Sequence, residues 1–158
     1  MENNHEYFMK EALKLARKNM ERPKGGPFGA VIVKNGKIIS EGYNVVISKN
    51  DPTGHAEIVA IRNACMELGT YHLHGCTIYS SCEPCPMCLG AIYWARLEEL
   101  YFSGTRKDAA LAGFDDDHIY REFTLDHEKR SIPTSRILSD QGKEVFNAWN
   151  GMGLNINY

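Results

Sequence analysis

Ser81-Cys82-Glu83-Pro84-Cys85-Pro86-Met87-Cys88, running on into Leu89-Gly90-Ala91-Ile92-Tyr93-Trp94, is the stretch on which the fold turns. Proline is tolerated in the first turn of a helix, where its missing N–H removes nothing from the ladder. The prolines therefore lead into a helix predicted over residues 86–96. Cys85 and Cys88 stand at i and i+3, on one helix face, so both sulfurs can reach one ion. The unpaired N–H groups and the dipole at a helix start also favour thiolate over thiol, the form a metal needs. Upstream, His55 in His55-Ala56-Glu57 supplies a third donor. Two cysteines with one histidine suit zinc better than calcium or magnesium. Three protein ligands leave a tetrahedral ion one open position, which separates a catalytic zinc from a structural one.

Glu57 adds chemistry to the metal site. Within a helix, i and i+2 point to nearly opposite sides, so His55 and Glu57 converge only if His55 sits at the very start. The turn-forming run Asn50-Asp51-Pro52-Thr53-Gly54 predicts that placement, at the head of a helix over residues 55–68. A carboxylate beside an activated water can accept its proton and later return it to a leaving group. One rival is a closed structural site of Cys82, Cys85, Cys88 and His55, with no room for water. Another is a set of unrelated buried cysteines. Cys82 lies before Glu83-Pro84, at a strand end rather than on the helix, which favours the open site.

Working outward, residues 76–81 read as a buried strand and residues 97–103 as the next one. Strand, helix, strand at this spacing implies a right-handed parallel crossover. Residues 28–34 and 37–43 are β-rich runs around Asn35-Gly36, the strongest short hairpin signal. Residues 4–20 carry Phe8, Ala12, Leu15 and Ala16 at helical spacing, capped by Asn3 or Asn4. The predicted architecture is a three-layer α/β/α sandwich around a mixed sheet. Both metal-binding helix starts then lie at one end of that sheet, where α/β ligand sites are found. Past Gly104, residues 105–117 read as polar, residues 117–125 as a helix and 124–136 as a charged loop. Val145, Phe146 and Trp149 recur at helical intervals within residues 140–152. Asn44 reads as a turn residue that tolerates left-handed backbone, Cys65 as a small core residue, and His72 with His74 as a polar loop or a metal pair.

With 158 residues, 43% hydrophobic and 24% charged, the chain fits one ordinary globular domain. Residues 1–6 lack the basic start and apolar run of a signal peptide, and no apolar stretch approaches the ~20 residues of a membrane helix. Five cysteines without a secretion signal read as reduced, which predicts a cytoplasmic protein with no membrane partner. Net charge is −2, with basic and acidic residues intermixed. A nucleic-acid binder would cluster its basic residues, so a small-molecule substrate is expected and a nucleic-acid partner is not.

His-x-Glu followed by Pro-Cys-x-x-Cys is the signature of the zinc deaminases, and the chain resembles the cytidine-deaminase-like superfamily. Within it the closer resemblance is to the bacterial guanine deaminases. That likeness runs through Gly26-Pro27-Phe28-Gly29-Ala30-Val31-Ile32-Val33, Asn50-Asp51-Pro52-Thr53, the two metal motifs, Gly113-Phe114-Asp115-Asp116 and a final Tyr158. One departure is Gly54, where the family has alanine. The resemblance implies a five-stranded mixed sheet, one zinc per subunit on His55, Cys85 and Cys88, and Glu57 as the proton-transferring residue. It implies a purine base held by Phe28, Asn44, Ala56, Phe114, Asp116 and Tyr158, and hydrolysis of guanine to xanthine and ammonia. It further implies a homodimer in which a C-terminal segment, about residues 125–158, swaps onto the partner. A guanosine deaminase, a transfer-RNA adenosine deaminase and a non-catalytic zinc module are the alternatives.

Overall fold

The structure, a computed structural model, describes residues 4–154. The chain divides between Asp116 and Asp117 into two compact units.

The first unit opens with α1 (His5–Met20), whose start is capped by Asn4 Oδ1 accepting the Tyr7 N–H at 3.1 Å. The hairpin of β1 (Gly29–Lys34) and β2 (Lys37–Tyr43) closes through Asn35 and Gly36, both left-handed at φ 50° and 72°. That is the two-residue turn whose twist matches paired strands. A short α2 (Val46–Lys49), absent from the sequence reading, follows β2. Then come α3 (Ala56–Leu68), β3 (Cys76–Cys82), α4 (Pro86–Trp94), β4 (Glu99–Gly104) and α5 (Arg106–Leu111).

The sheet order is β2-β1-β3-β4, with β1 antiparallel to both neighbours and β3 parallel to β4. The expected fifth strand does not appear among the described residues. The chain leaves β4 into α5, which a capping box starts: Thr105 and Asp108 each bond the other's backbone N–H. The sequence reading gives this stretch only as polar, but the Thr-x-x-Asp pattern is a helix-start signal in its own right. Helix α4 also stops two residues earlier than expected, because Arg96 turns left-handed at φ 55°.

Alternation along β1 builds two cores. Ala30 and Ile32 pack with Ala56, Ala60, Ile61, Ala64, Ile78 and Ile92, while Val31 and Val33 pack with Phe8, Ala12 and Tyr79. Helices α3 and α4 thus cover one face of the sheet and α1 the other, which is the predicted three-layer sandwich. Fully burying a side chain such as Ile32 or Ile78 contributes roughly 1.5–3 kcal/mol, and both are at 0% exposure. The alanine stripe of α3 lets the helix close on β2 at Gly42, where a Cβ would stand 2.1 Å from the Ala56 carbonyl oxygen. This contact fixes the height of the α3 start above the sheet.

The second unit contains α6 (Asp117–Phe123), a 3-10 turn at His127–Lys129 and α7 (Ser139–Gly151). No described residue in it is buried. Among the described residues of the chain, no helix is long and apolar enough to cross a membrane.

Candidate active site

His55 does not belong to α3; it is the residue that caps it. Its backbone is extended (φ −70°, ψ 157°), its carbonyl accepts the Val59 N–H, and its side chain leans back from the helix. The turn ahead of it is tightly bonded: Gly54 N–H donates to Asp51 O at 3.0 Å and Gly54 O accepts from Val45 N–H at 2.8 Å. A Cβ on Gly54 would lie 2.8 Å from Val45 Cγ2, so the departure from alanine fits a turn closed tightly around Val45. Cys85 caps α4 in the same way, extended and followed by Pro86 at the first helical position. Two helix starts therefore face each other across the site, one bringing His55 and the other Cys85 and Cys88.

His55 Nδ1 lies 3.5 Å from Cys85 Sγ and 3.5 Å from Cys88 Sγ, and the three donor atoms fall within 4.8 Å of one another. Tetrahedral zinc, with Zn–S near 2.3 Å and Zn–N near 2.0–2.1 Å, places its sulfur and nitrogen ligands about 3.5–3.6 Å apart. The donor set and its spacing fit zinc. Cys82 stands outside the group, its sulfur directed to the Thr105 carbonyl at 3.6 Å. Among the described residues the group therefore offers three donors and not four, which counts against the closed Cys₃His alternative.

Charge is shared unevenly between the two thiols. The Cys88 side chain, with His55 assisting, holds the Cys85 thiol down to about 4. The neighbouring Cys85 and burial push Cys88 up. Cys85 raises His55 in turn. Cys82, by contrast, is pushed up to about 11 by burial and by the nearby Glu57 carboxylate. A dication compensates two thiolates at once, and its binding releases the proton that the pair now shares.

Glu57 is 6% exposed, in the first turn of α3. Its Oε2 accepts from the Cys88 thiol at 3.5 Å and its Oε1 from the Ser80 hydroxyl at 3.2 Å. Burial pulls the carboxyl above its ordinary value, the direction a group needs if it is to hold and release a proton near neutral pH.

The expected base-binding residues are only partly assembled around this centre. Phe28 and Phe114 meet edge to face, with ring centroids 4.9 Å apart. Asp116 is half-buried and raised by burial, then by the negative Cys85, whereas Asp115 is exposed. Ala56 opens α3, so its N–H has no carbonyl partner within the helix. Asn44 is not left-handed; its Oδ1 accepts the Val46 N–H at 3.2 Å and starts α2. Tyr158 lies outside the described residues. His72 and His74 stand with ring centroids 5.5 Å apart but join no group of three metal donors among the described residues. Cys65 packs at the edge of the core, as read.

Two contributors escaped the sequence reading. Ser80 touches Glu57, and Asn19, 2% exposed, donates from Nδ2 to the carbonyls of Gly26 and Asn44 at 2.8 and 2.9 Å. Asn19 thereby ties together the loops that carry Phe28 and Asn44. A signal for each was present: a hydroxyl in a buried strand, and an amide at a position near the end of the apolar helix face.

Residues 2–104 match the family described as the cytidine and deoxycytidylate deaminase zinc-binding region. The guanine deaminase of Bacillus subtilis (strain 168) is 53% identical over 146 residues, covering 92% of this chain and 94% of its own. A crystal structure of guanine deaminase from Bacillus subtilis superposes with a TM-score of 0.95 at 50% identity, over 98% of this chain and 99% of that one. A tRNA-specific adenosine deaminase of Aquifex aeolicus is 46% identical over 102 residues, 65% of this chain and 67% of its own.

Proposed function

The chain belongs to the cytidine and deoxycytidylate deaminase zinc-binding family, and on that premise we propose that it hydrolyses guanine to xanthine and ammonia. The observation that carries the reading is Glu57, buried against a group of three possible zinc donors, in a chain 53% identical to a guanine deaminase over 92% of its length. The transfer-RNA deaminases match either a shorter part of the chain, 65% at 46% identity, or most of it at lower identity, 86% at 36%.

His55, Cys85 and Cys88 would hold the zinc, which would supply a Lewis acid able to make a water nucleophilic near neutral pH. Glu57 takes a proton from the attacking water and passes it to the ring nitrogen beside C2. It then moves the second proton, from the new C2 hydroxyl, to the amino group, which leaves as ammonia while the water's oxygen stays on C2 as the carbonyl. Burial keeps water from competing for that proton. Phe28 and Phe114 form an aromatic corner suited to a planar purine. Guanine presents N–H donors at N1 and its 2-amino group, so an acceptor-only carboxylate fits it, and half-buried Asp116 takes this role rather than exposed Asp115. Asn44 offers the purine both a donor and an acceptor, and the free N–H of Ala56 a further donor. Tyr158 completes the pocket in this reading.

The functional unit is a homodimer whose C-terminal segment, about residues 125–158, covers the partner's site. What supports this is α7, where Val145, Phe146, Trp149 and Met152 form an exposed apolar stripe. Such a segment excludes water once the base has bound. All five cysteines are free, which accords with a reducing cytoplasm.

The test is ammonia release from guanine, guanosine, adenine and cytosine by the zinc-loaded protein. Guanine should be turned over fastest. Preference for guanosine would move the substrate to the nucleoside, and no release from either would overturn the reading.

A further inference from the structure

Ile78 and Ser80 both lie on the face of β3 that looks toward α3, since side chains two apart on a strand share a face. Ile78 joins the core there, but Ser80, at 2% exposure, places a hydroxyl in the same apolar layer. A buried hydroxyl needs a partner. Its neighbour Ser81 has a structural one, accepting the Gly29 N–H at 3.0 Å between β3 and β1. Among the described residues Ser80 bonds no backbone group; its hydroxyl donates to Glu57 Oε1 at 3.2 Å. Glu57's other oxygen is the one that faces the ligand set, 3.5 Å from Cys88 Sγ.

We propose that Ser80 is a positioning residue that holds Oε1 of Glu57 against β3, so that Oε2 alone moves the proton. The proposal rests on Glu57 being the proton shuttle. A glutamate side chain turns about three bonds, and the other contacts described for its carboxylate are the Cys88 thiol and a backbone N–H at Glu57 itself. The Cys88 sulfur belongs to the donor group and the N–H contact lies within Glu57, so among the described residues Ser80 is the partner that ties the carboxylate to the sheet. Proton transfer demands hydrogen-bond reach and direction, and a displacement of about 1 Å can cost roughly 100-fold. Ser80 thus acts on the reaction without touching substrate.

Ser80→Ala and Ser80→Thr, each made alone and on Glu57→Gln, provide the test. Turnover, KM and zinc per chain are measured with whichever base of the four-substrate panel wild type uses fastest. Failure of the guanine assignment then shows in wild type alone, and the Ser80 ratio still stands. Ser80→Ala should lower kcat roughly 10- to 100-fold with KM and zinc unchanged. Threonine should restore most of it, and on Glu57→Gln the alanine change should do nothing further. A metal-free reading accompanies these: the Glu57 carboxyl stretch, taken as the infrared difference from the matching Glu57→Gln protein, should shift in Ser80→Ala and return in Ser80→Thr. Unchanged kcat in zinc-loaded Ser80→Ala, or an equal fall on both backgrounds, would overturn the proposal.

Discussion

The two compact units differ in what their apolar residues do. Up to Asp116 the chain buries its own hydrophobic side chains in two cores, one on each face of the sheet, and the metal donors and Glu57 stand at the end of one of them. Beyond Asp117, no described side chain is buried; Phe123, Ile132, Val145, Phe146 and Met152 are all more than half exposed. A soluble monomer seldom leaves so continuous an apolar stripe in water. We propose that the first unit holds the chemistry and that a partner covers the second. If so, damage in the first should stop turnover without altering assembly, and damage in the second should alter assembly first.

The largest effect belongs to the first unit. Glu57→Gln fills the same space but cannot carry a proton, and general acid–base catalysis supplies roughly 10²–10⁴-fold. Turnover should fall by at least that range while zinc content, thermal midpoint and oligomeric state stay as in wild type. Substantial activity in the zinc-loaded variant would remove Glu57 from its role.

Next comes the second unit. Phe146→Asp puts a charge into the α7 stripe, and a buried unpaired charge at an interface is strongly disfavoured. If the proposed dimer forms, sedimentation should show it dissociating at concentrations where wild type stays associated, with turnover reduced about tenfold or more. Retained zinc would confine the defect to assembly. A variant that remains dimeric and fully active would break the contrast between the units.

The sequence carried the first unit further than the second, for physical reasons. Hairpin, crossover and helix starts rest on local rules: Asn35-Gly36 must turn left-handed, Pro86 must open a helix, and β1 must alternate. His55 as a helix cap followed from the geometric demand that it meet Glu57. What escaped were contacts between residues far apart in the chain, such as Ser80 under Glu57 and Asn19 across to the Asn44 carbonyl, since no spacing rule joins them. The fifth strand came from resemblance and not from residues, and capped α5 stands after β4 instead. In the second unit, helices at residues 117–125 and 140–152 were legible from periodicity, but their partner was not, because periodicity identifies an apolar face without naming what covers it.

Smaller effects sharpen the first unit. Asn44→Ala should weaken guanine turnover about 5- to 150-fold, the result of losing ~1–3 kcal/mol from one buried polar partner. Zinc should be unaffected, because Asn44 bonds Val46 and Asn19 rather than any donor of the metal group. Loss of zinc along with activity would make Asn44 a structural residue. In the same assay Asp116→Ala should cost more than Asp115→Ala, since only Asp116 is half-buried.

The smallest expected effect is none, at Cys82. By sequence it stands as close to Cys85 as Cys88 does, and a four-ligand site would have used it. Its sulfur turns instead toward the Thr105 carbonyl at 3.6 Å, and burial with the Glu57 carboxylate nearby keeps it a thiol. Cys82→Ala should therefore bind one zinc per chain and turn over substrate as wild type does. Cys85→Ala and Cys88→Ala should each lose both zinc and activity. Atomic absorption on the three variants, purified side by side, decides between them. Zinc missing from Cys82→Ala would mean a closed fourth position, and a site with no place for water could not perform the hydrolysis assigned to the first unit.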